Sequence, residues 1–148
     1  MSKEYDPQMH TAEHVLNQSM IRLFGTKRSF SSHLNPKKSK CDYRFDRDLT
    51  DEEGAKLQKT INEVLAGNLP VSERSVPRSE AEKLVDLGKL PDSVGPDTPI
   101  RLVSVGDYDF CACIGAHCAN TSEVGSFRLV SHEFKPETGV LRVRFVLE

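Results

Sequence analysis

Two imidazoles one helical turn apart, His10 and His14, are answered about a hundred residues later by Cys113 and His117, a thiol and an imidazole at the same four-residue spacing. On a helix, side chains at i and i+4 leave one face about 5 to 6 Å apart at Cβ. That separation suits two adjacent corners of a tetrahedral zinc site, with the remaining corners supplied from elsewhere in the chain. Cys113 and His117 are the residues of the right type to supply them, so the ion would clamp the first helix to a distant segment and contribute to folding. Each half also has an ordinary reading. His10 and His14 could be a polar pair on a helix, and Cys113 a buried structural thiol. Ligand count and spacing together favour the metal.

A first helix must present the first pair. Asp6-Pro7 reads as cap and first-turn proline, and Gly25 as the stop. Met9, Ala12, Leu16, Met20 and Leu23 recur at three- and four-residue steps and mark a buried stripe, with His10 and His14 beside it. Cys41 to Phe45 alternates like a strand, with Tyr43 and Phe45 on one face. Thr50-Asp51-Glu52-Glu53 forms a capping box for a second amphipathic helix carrying Leu57, Ile61, Val64 and Leu65 as far as Gly67. Leu69 to Val71 reads as a short strand, and Ser79 to Leu87 as a third helix after Pro77.

The stretch from Pro91 to Pro99 is a proline-rich loop. Ile100 to Val105 is a strand, and Phe127 to Phe134 with Val140 to Leu147 form a hairpin. In the last strand Leu141, Val143, Phe145 and Leu147 face one way, Arg142 and Arg144 the other. The expectation is an α+β fold, an antiparallel sheet packed with helices, in one domain over 1–148.

With 148 residues, 37% hydrophobic and 28% charged, and no long apolar run, the chain has the composition of a soluble domain. The first residues carry no apolar signal segment, so a cytoplasmic location is expected and the four cysteines read as reduced thiols. A net charge of −2 gives no global signal for nucleic acid. Any such contact rests on local patches: Lys27-Arg28, and Lys37, Lys38 and Lys40 in a serine-containing loop. A solvated loop explains the same charges.

The segments His-Thr-Ala-Glu-His-Val-Leu at 10 to 16, Cys-Ile-Gly-Ala-His-Cys-Ala-Asn-Thr-Ser-Glu-Val-Gly-Ser-Phe-Arg at 113 to 128, and Gly-Val-Leu-Arg-Val at 139 to 143 resemble the editing domain of alanyl-tRNA synthetase. The freestanding AlaX proteins and the threonyl-tRNA synthetase editing domain share that fold. The resemblance runs from about His10 to the C-terminus, in consistent order, and is nearest to the short freestanding type. It implies trans-editing: ATP-independent hydrolysis of the ester joining a wrong amino acid, serine or glycine, to the 3′ end of alanine tRNA. It further implies zinc held by His10, His14, Cys113 and His117. The chain departs from the family's pattern at Ile114 and Ala116, at Asp42-x-Arg44 where Arg-x-Asp is usual, and at Ser31-Ser32. These changes bear on amino-acid specificity.

A hydrophobic pocket cannot strongly reject an isostere that only gains a hydroxyl, so serine errors call for a second site that hydrogen-bonds that hydroxyl. Thr11, Ser31 and Ser32 are the candidates for sensing it. A helix threonine bonded to its own backbone and a serine turn are the alternatives. Four protein ligands would make a closed zinc site; either Cys113 is displaced by substrate, or the ion positions the substrate while the pocket supplies a water. No side chain is assigned as general base.

Two readings of other classes stay open. His-Thr-Ala-Glu-His fits the H-x-x-E-H pattern of a zinc peptidase with Glu13 as base, and a structural zinc module could hold tRNA or a protein without catalysis. The partner expected is aminoacylated tRNA, with no membrane contact, for a monomer or weak dimer.

Overall fold

The computed structural model describes residues 7–35, 38–84, 97–112 and 117–148. Helix α1 runs Pro7–Phe24 and ends where Gly25 turns to φ +71°, its N–H reaching back to the Ile21 carbonyl at 3.0 Å. A residue without Cβ takes that left-handed stop at no steric cost. Strands β1 (Ser31–His33) and β2 (Ser39–Arg44) follow, then α2 (Asp51–Ala66), β3 (Val71–Pro77) and α3 (Arg78–Leu84). The chain continues through β4 (Pro99–Val105) and β5 (Asp109–Ala112), one 3-10 turn at Thr121–Glu123, and the hairpin β6 (Phe127–Lys135) and β7 (Val140–Leu147).

The antiparallel α+β architecture is as read from the sequence, but the strands divide into two sheets rather than one. A four-stranded sheet has the order β1-β2-β7-β6, and a three-stranded sheet the order β3-β4-β5. The larger sheet buries Cys41, Tyr43, Leu141, Val143 and Phe145 on one face against α1 and α2. Arg142 and Arg144 lie on the other, where they pair with Asp42 and Glu133. The capping box forms as expected: Glu53 N–H donates to Thr50 Oγ1 at 3.1 Å, and Thr50 N–H to Glu53 Oε1 at 2.9 Å.

Strand β6 is an edge of the larger sheet, and α2 covers it with amide side chains. Asn62 accepts from Phe127 N–H at 2.8 Å and donates to its carbonyl at 2.9 Å, and Gln58 accepts from Leu129 N–H at 2.8 Å. Backbone groups that would otherwise face solvent as a template for another strand are thereby satisfied.

Local structure departs from expectation in three places. The short strand expected at Leu69 to Val71 is instead a seven-residue strand, β3, paired along its whole length with β4. Strand β5 is an additional element that the sequence pattern does not announce. The third helix begins one residue earlier than expected, at Arg78, and its expected end at Leu87 lies outside the described residues. Asp6 also lies outside them.

Candidate metal centre

Along α1 the polar residues His10, His14, Gln18 and Arg22 stand at four-residue steps, so they form one row on a single helix face. This row packs against β5 and the segment that carries His117. Burial on that side hides His14 and, against the Tyr108 hydroxyl at 2.7 Å, Ser19, while Asn17 is buried toward the larger sheet, accepting from Tyr43 Oη at 2.8 Å.

The three histidines foreseen from spacing converge. His14 Nε2 and His117 Nε2 are 2.7 Å apart. The rings of His10 and His117 stack with centroids 4.9 Å apart, inclined by 14°, and His10 meets His14 edge-on at 6.0 Å. The segment bearing His117 is fastened to α1 by the next residue, whose backbone Cys118 N–H donates to Thr11 Oγ1 at 3.0 Å. Cys113 lies outside the described residues. Three imidazoles from two distant segments thus cluster, His14 and His117 nitrogen to nitrogen and His10 stacked beside them, and imidazole is a ligand type that suits zinc. A cavity of about 400 Å³ opens beside His117, lined also by Pro7, Gln8, Cys118, Ala119 and Glu123, within the size range of small-ligand pockets.

The other nitrogen of His14 meets Asp109, which spacing does not single out, and Cys111, one of three thiols crowded into positions 111–118 beside His117, a clustering that favours metal chemistry. His14 Nδ1 lies 3.0 Å from Asp109 Oδ2 and 3.0 Å from Cys111 Sγ. Asp109 and Cys111 alternate on β5 and therefore share a face. His14, Asp109 and Cys111 together have ligand atoms within 4.8 Å of one another. The hydrogen bonds at Asp109 argue against an ion held by this group. Its Oδ1 accepts from Gln18 at 2.9 Å and from Arg28 at 2.8 Å, and its Oδ2 accepts from Arg28 at 3.0 Å besides facing His14. Both oxygens are engaged, and a guanidinium already supplies the positive charge. Burial pushes the Asp109 carboxyl up, but hydrogen bonds from His14 and Arg28, with the charge of Arg28, outweigh it and hold it well below the usual carboxylate range. The carboxylate is ionised and can only accept.

Thr11 is fully buried; its hydroxyl donates to the Pro7 carbonyl at 2.7 Å while accepting from Cys118. The helix back-bond considered for it is present, and the hydroxyl also ties helix to loop. Ser31 lies opposite Asp42 on the outer face of the larger sheet, away from the histidines. Ser32 lies opposite Cys41 on the inner face, 2.8 Å from the Ser29 hydroxyl and donating to Cys41 Sγ at 3.6 Å. Ser29 N–H in turn donates to Asn17, one turn beyond His14. Ser31 and Ser32 thus belong to opposite faces.

Lys38 is exposed, Lys40 is half-buried opposite Arg144, and Lys37 lies outside the described residues. Arg28 leaves the expected basic patch, being engaged by Asp109. Asp42 and Arg44, the altered pair, both face outward: Asp42 grips Arg142, and Arg44 lies 4.1 Å over the Phe30 ring. Glu13 is buried near His10, with 3.8 Å between carboxylate oxygen and ring nitrogen.

Residues 100–144 match the threonyl and alanyl tRNA synthetase second additional domain. This stretch contains β4, β5, His117 and most of the final hairpin. Similarity to alanine–tRNA ligases extends further along the chain. It is 31% identical to that of Methanopyrus kandleri over 92% of its length, 32% to that of Ignicoccus hospitalis over 93%, and 31% to that of Aeropyrum pernix over 93%. In each case the chain spans about 15% of the relative's length. The resemblance to the alanyl-tRNA synthetase editing region, read first from short motifs, thus holds along nearly the whole chain. Among the described residues, no helix is long and apolar enough to cross a membrane.

Proposed function

We propose that this protein is an aminoacyl-tRNA deacylase that removes serine or glycine from mischarged alanine tRNA at a zinc-containing pocket. The observation that carries the reading is the convergence of His10, His14 and His117, in a chain similar over 92% of its length to an alanine–tRNA ligase. His10, His14, Cys113 and His117 would hold the zinc. When bound, such an ion would supply positive charge that orients the substrate and organises the pocket, which supplies the water.

The protein's own part is positioning. An aminoacyl ester is already activated, so holding it against a water in a fixed orientation removes much of the barrier. The cavity beside His117 offers room for the end of the substrate. Ser32, on the inner face of β1, is the best placed of the three hydroxyl residues to meet a substrate hydroxyl; Thr11 acts beside it by holding the His117 segment. Ser31, on the outer face, acts only through β1. Lys37, Lys38 and Lys40 would contact tRNA phosphates and set its register. Residues 1–148 act together as one domain, monomeric or weakly dimeric, in the cytoplasm.

The test is release of labelled serine, glycine and alanine from alanine tRNA charged with each, with and without chelator. Metal-dependent loss of serine or glycine, with alanine retained, is the expected result. Ester left intact in all three rejects editing of alanine-tRNA errors and leaves another misacylated tRNA or a non-catalytic tRNA-binding module as the readings to test next. Peptide cleavage that vanishes in Glu13→Gln would instead support the H-x-x-E-H peptidase.

A further inference from the structure

Asp109 sits at the far side of His14 from the other two histidines, on a strand 95 residues away in sequence. We propose that Asp109, held by Arg28 and Gln18, is a positioning residue that fixes His14 with its proton on Nδ1 and its Nε2 lone pair aimed at His10 and His117. This rests on the metal-centre part of the function proposed above, and it assigns the choice of ligand nitrogen to β5 rather than to the helix.

Arg28 can only donate and engages both Asp109 oxygens; its Nη2 is also 3.4 Å from His14 Nδ1, but Asp109 Oδ2 is nearer, at 3.0 Å, and the shorter contact assigns the Nδ1 hydrogen to a bond from the imidazole to the carboxylate. A neutral imidazole protonated at Nδ1 has its acceptor at Nε2, the atom 2.7 Å from His117. The side chain of Asp109 is fully buried, and it has no freedom to turn. Arg28 grips both its oxygens, at 2.8 and 3.0 Å, and Gln18, one turn along α1 from His14, holds Oδ1 at 2.9 Å. Carboxylate partners of this kind orient metal-binding histidines and raise their basicity, and their loss lowers metal affinity. Cys111 Sγ, also 3.0 Å from Nδ1, is the weaker acceptor there, since sulfur competes poorly with a carboxylate oxygen.

The experiment combines two measurements. Long-range nitrogen–proton correlation spectra of the metal-free protein report the tautomer of His14, and competition with a chromophoric chelator reports zinc affinity. In the wild type the Nδ1–H tautomer is expected. Asp109→Ala should mix the tautomers and weaken zinc binding roughly tenfold to hundredfold. Asp109→Asn, which keeps a carbonyl acceptor, should retain part of both. Asp42→Ala, which removes an equally bidentate carboxylate from the other sheet, should change neither and controls for the loss of an arginine-bound carboxylate elsewhere in the fold.

An Nε2–H tautomer in the wild type overturns the proposal whatever the variants do, so it stays testable even if Asp109→Ala does not fold. Folded Asp109→Ala with wild-type zinc affinity also overturns it. If the wild type takes up no zinc, the metal-centre reading fails, and the tautomer still decides whether Asp109 orients His14.

Discussion

Asp42 and Asp109 stand on different sheets, each gripped through both oxygens by one arginine at 2.8 to 3.0 Å. Asp42 meets Arg142 directly across two neighbouring strands, at a register position where β2 and β7 are already paired. The ion pair reinforces an interaction that the backbone ladder makes anyway. Asp109 instead draws in Arg28 from the loop before β1 and two residues of α1, joining segments that no ladder connects. The same chemical pair is a local staple in one sheet and a keystone of the histidine cluster in the other. The number of otherwise unconnected segments that meet at each carboxylate makes the difference.

The largest effect should come from breaking the second pair. Asp109→Ala leaves Arg28 partly buried beside an empty position and removes partners of His14 and Gln18. Loss of one member of a buried pair costs about 3 to 5 kcal/mol. Asp42→Ala should cost about 1 kcal/mol, nearer the range of exposed pairs, because Arg142 is a quarter exposed and can turn to solvent. Urea unfolding of both variants measures the contrast, and equal losses would erase it.

His14→Ala sharpens the contrast from the other side. It should abolish metal uptake while leaving the Asp109–Arg28 pair in place, so its cost in chelator should fall below that of Asp109→Ala. A metal content equal to wild type would show that His14 is no ligand. A cost in chelator exceeding that of Asp109→Ala would mean that the imidazole, rather than the ion pair, holds β5 to α1.

A smaller effect separates the two carboxylates by pH. The hydrogen bond from Arg142 and its charge hold the Asp42 carboxyl below its ordinary value, against partial burial. A carboxylate lowered in the fold stabilises it above the unfolded pKa of about 3.9, and that stabilisation is lost as pH falls through the folded value. The stability gap between wild type and Asp42→Asn should therefore be constant near neutrality and shrink below about pH 4. A gap that persists at pH 2 would assign the effect of Asp42 to shape rather than charge.

The same contrast explains what is legible in the sequence. Helix α1, the capping box of α2 and the alternation of β7 are written in local periodicity, and each forms where its pattern lies. His10 and His14 are visible because one helical turn fixes their spacing. Strand β3 is largely hidden. Val-Ser-Glu-Arg-Ser-Val-Pro is mostly exposed, so no buried face imposes a two-residue rhythm, and pairing with β4 supplies the strand. Asp109 is hidden for a related reason: its partners are Arg28, 81 residues away, and His14, 95 away, a distance at which spacing carries no information. The one available signal is Asp109-Phe110-Cys111, two polar groups in strand alternation just before Cys113.

The smallest effect concerns the outer face of the larger sheet, where Arg142 and Arg144 are neutralised by Asp42 and Glu133. Lys40 lies opposite Arg144 without such a carboxylate directly across the strand, and Lys38 is exposed in the adjoining loop. If tRNA lies along this edge, these lysines contribute by releasing counterions from phosphates, a sequence-independent effect. Lys37→Ala with Lys38→Ala should then weaken binding evenly across tRNA species and lower the salt slope by about 1 for each phosphate no longer neutralised. Zinc affinity should stay unchanged, because among the described residues the exposed Lys38 takes no part in the Asp109 network. An unaltered salt slope would return these lysines to ordinary solvated charges and move the tRNA track to another face.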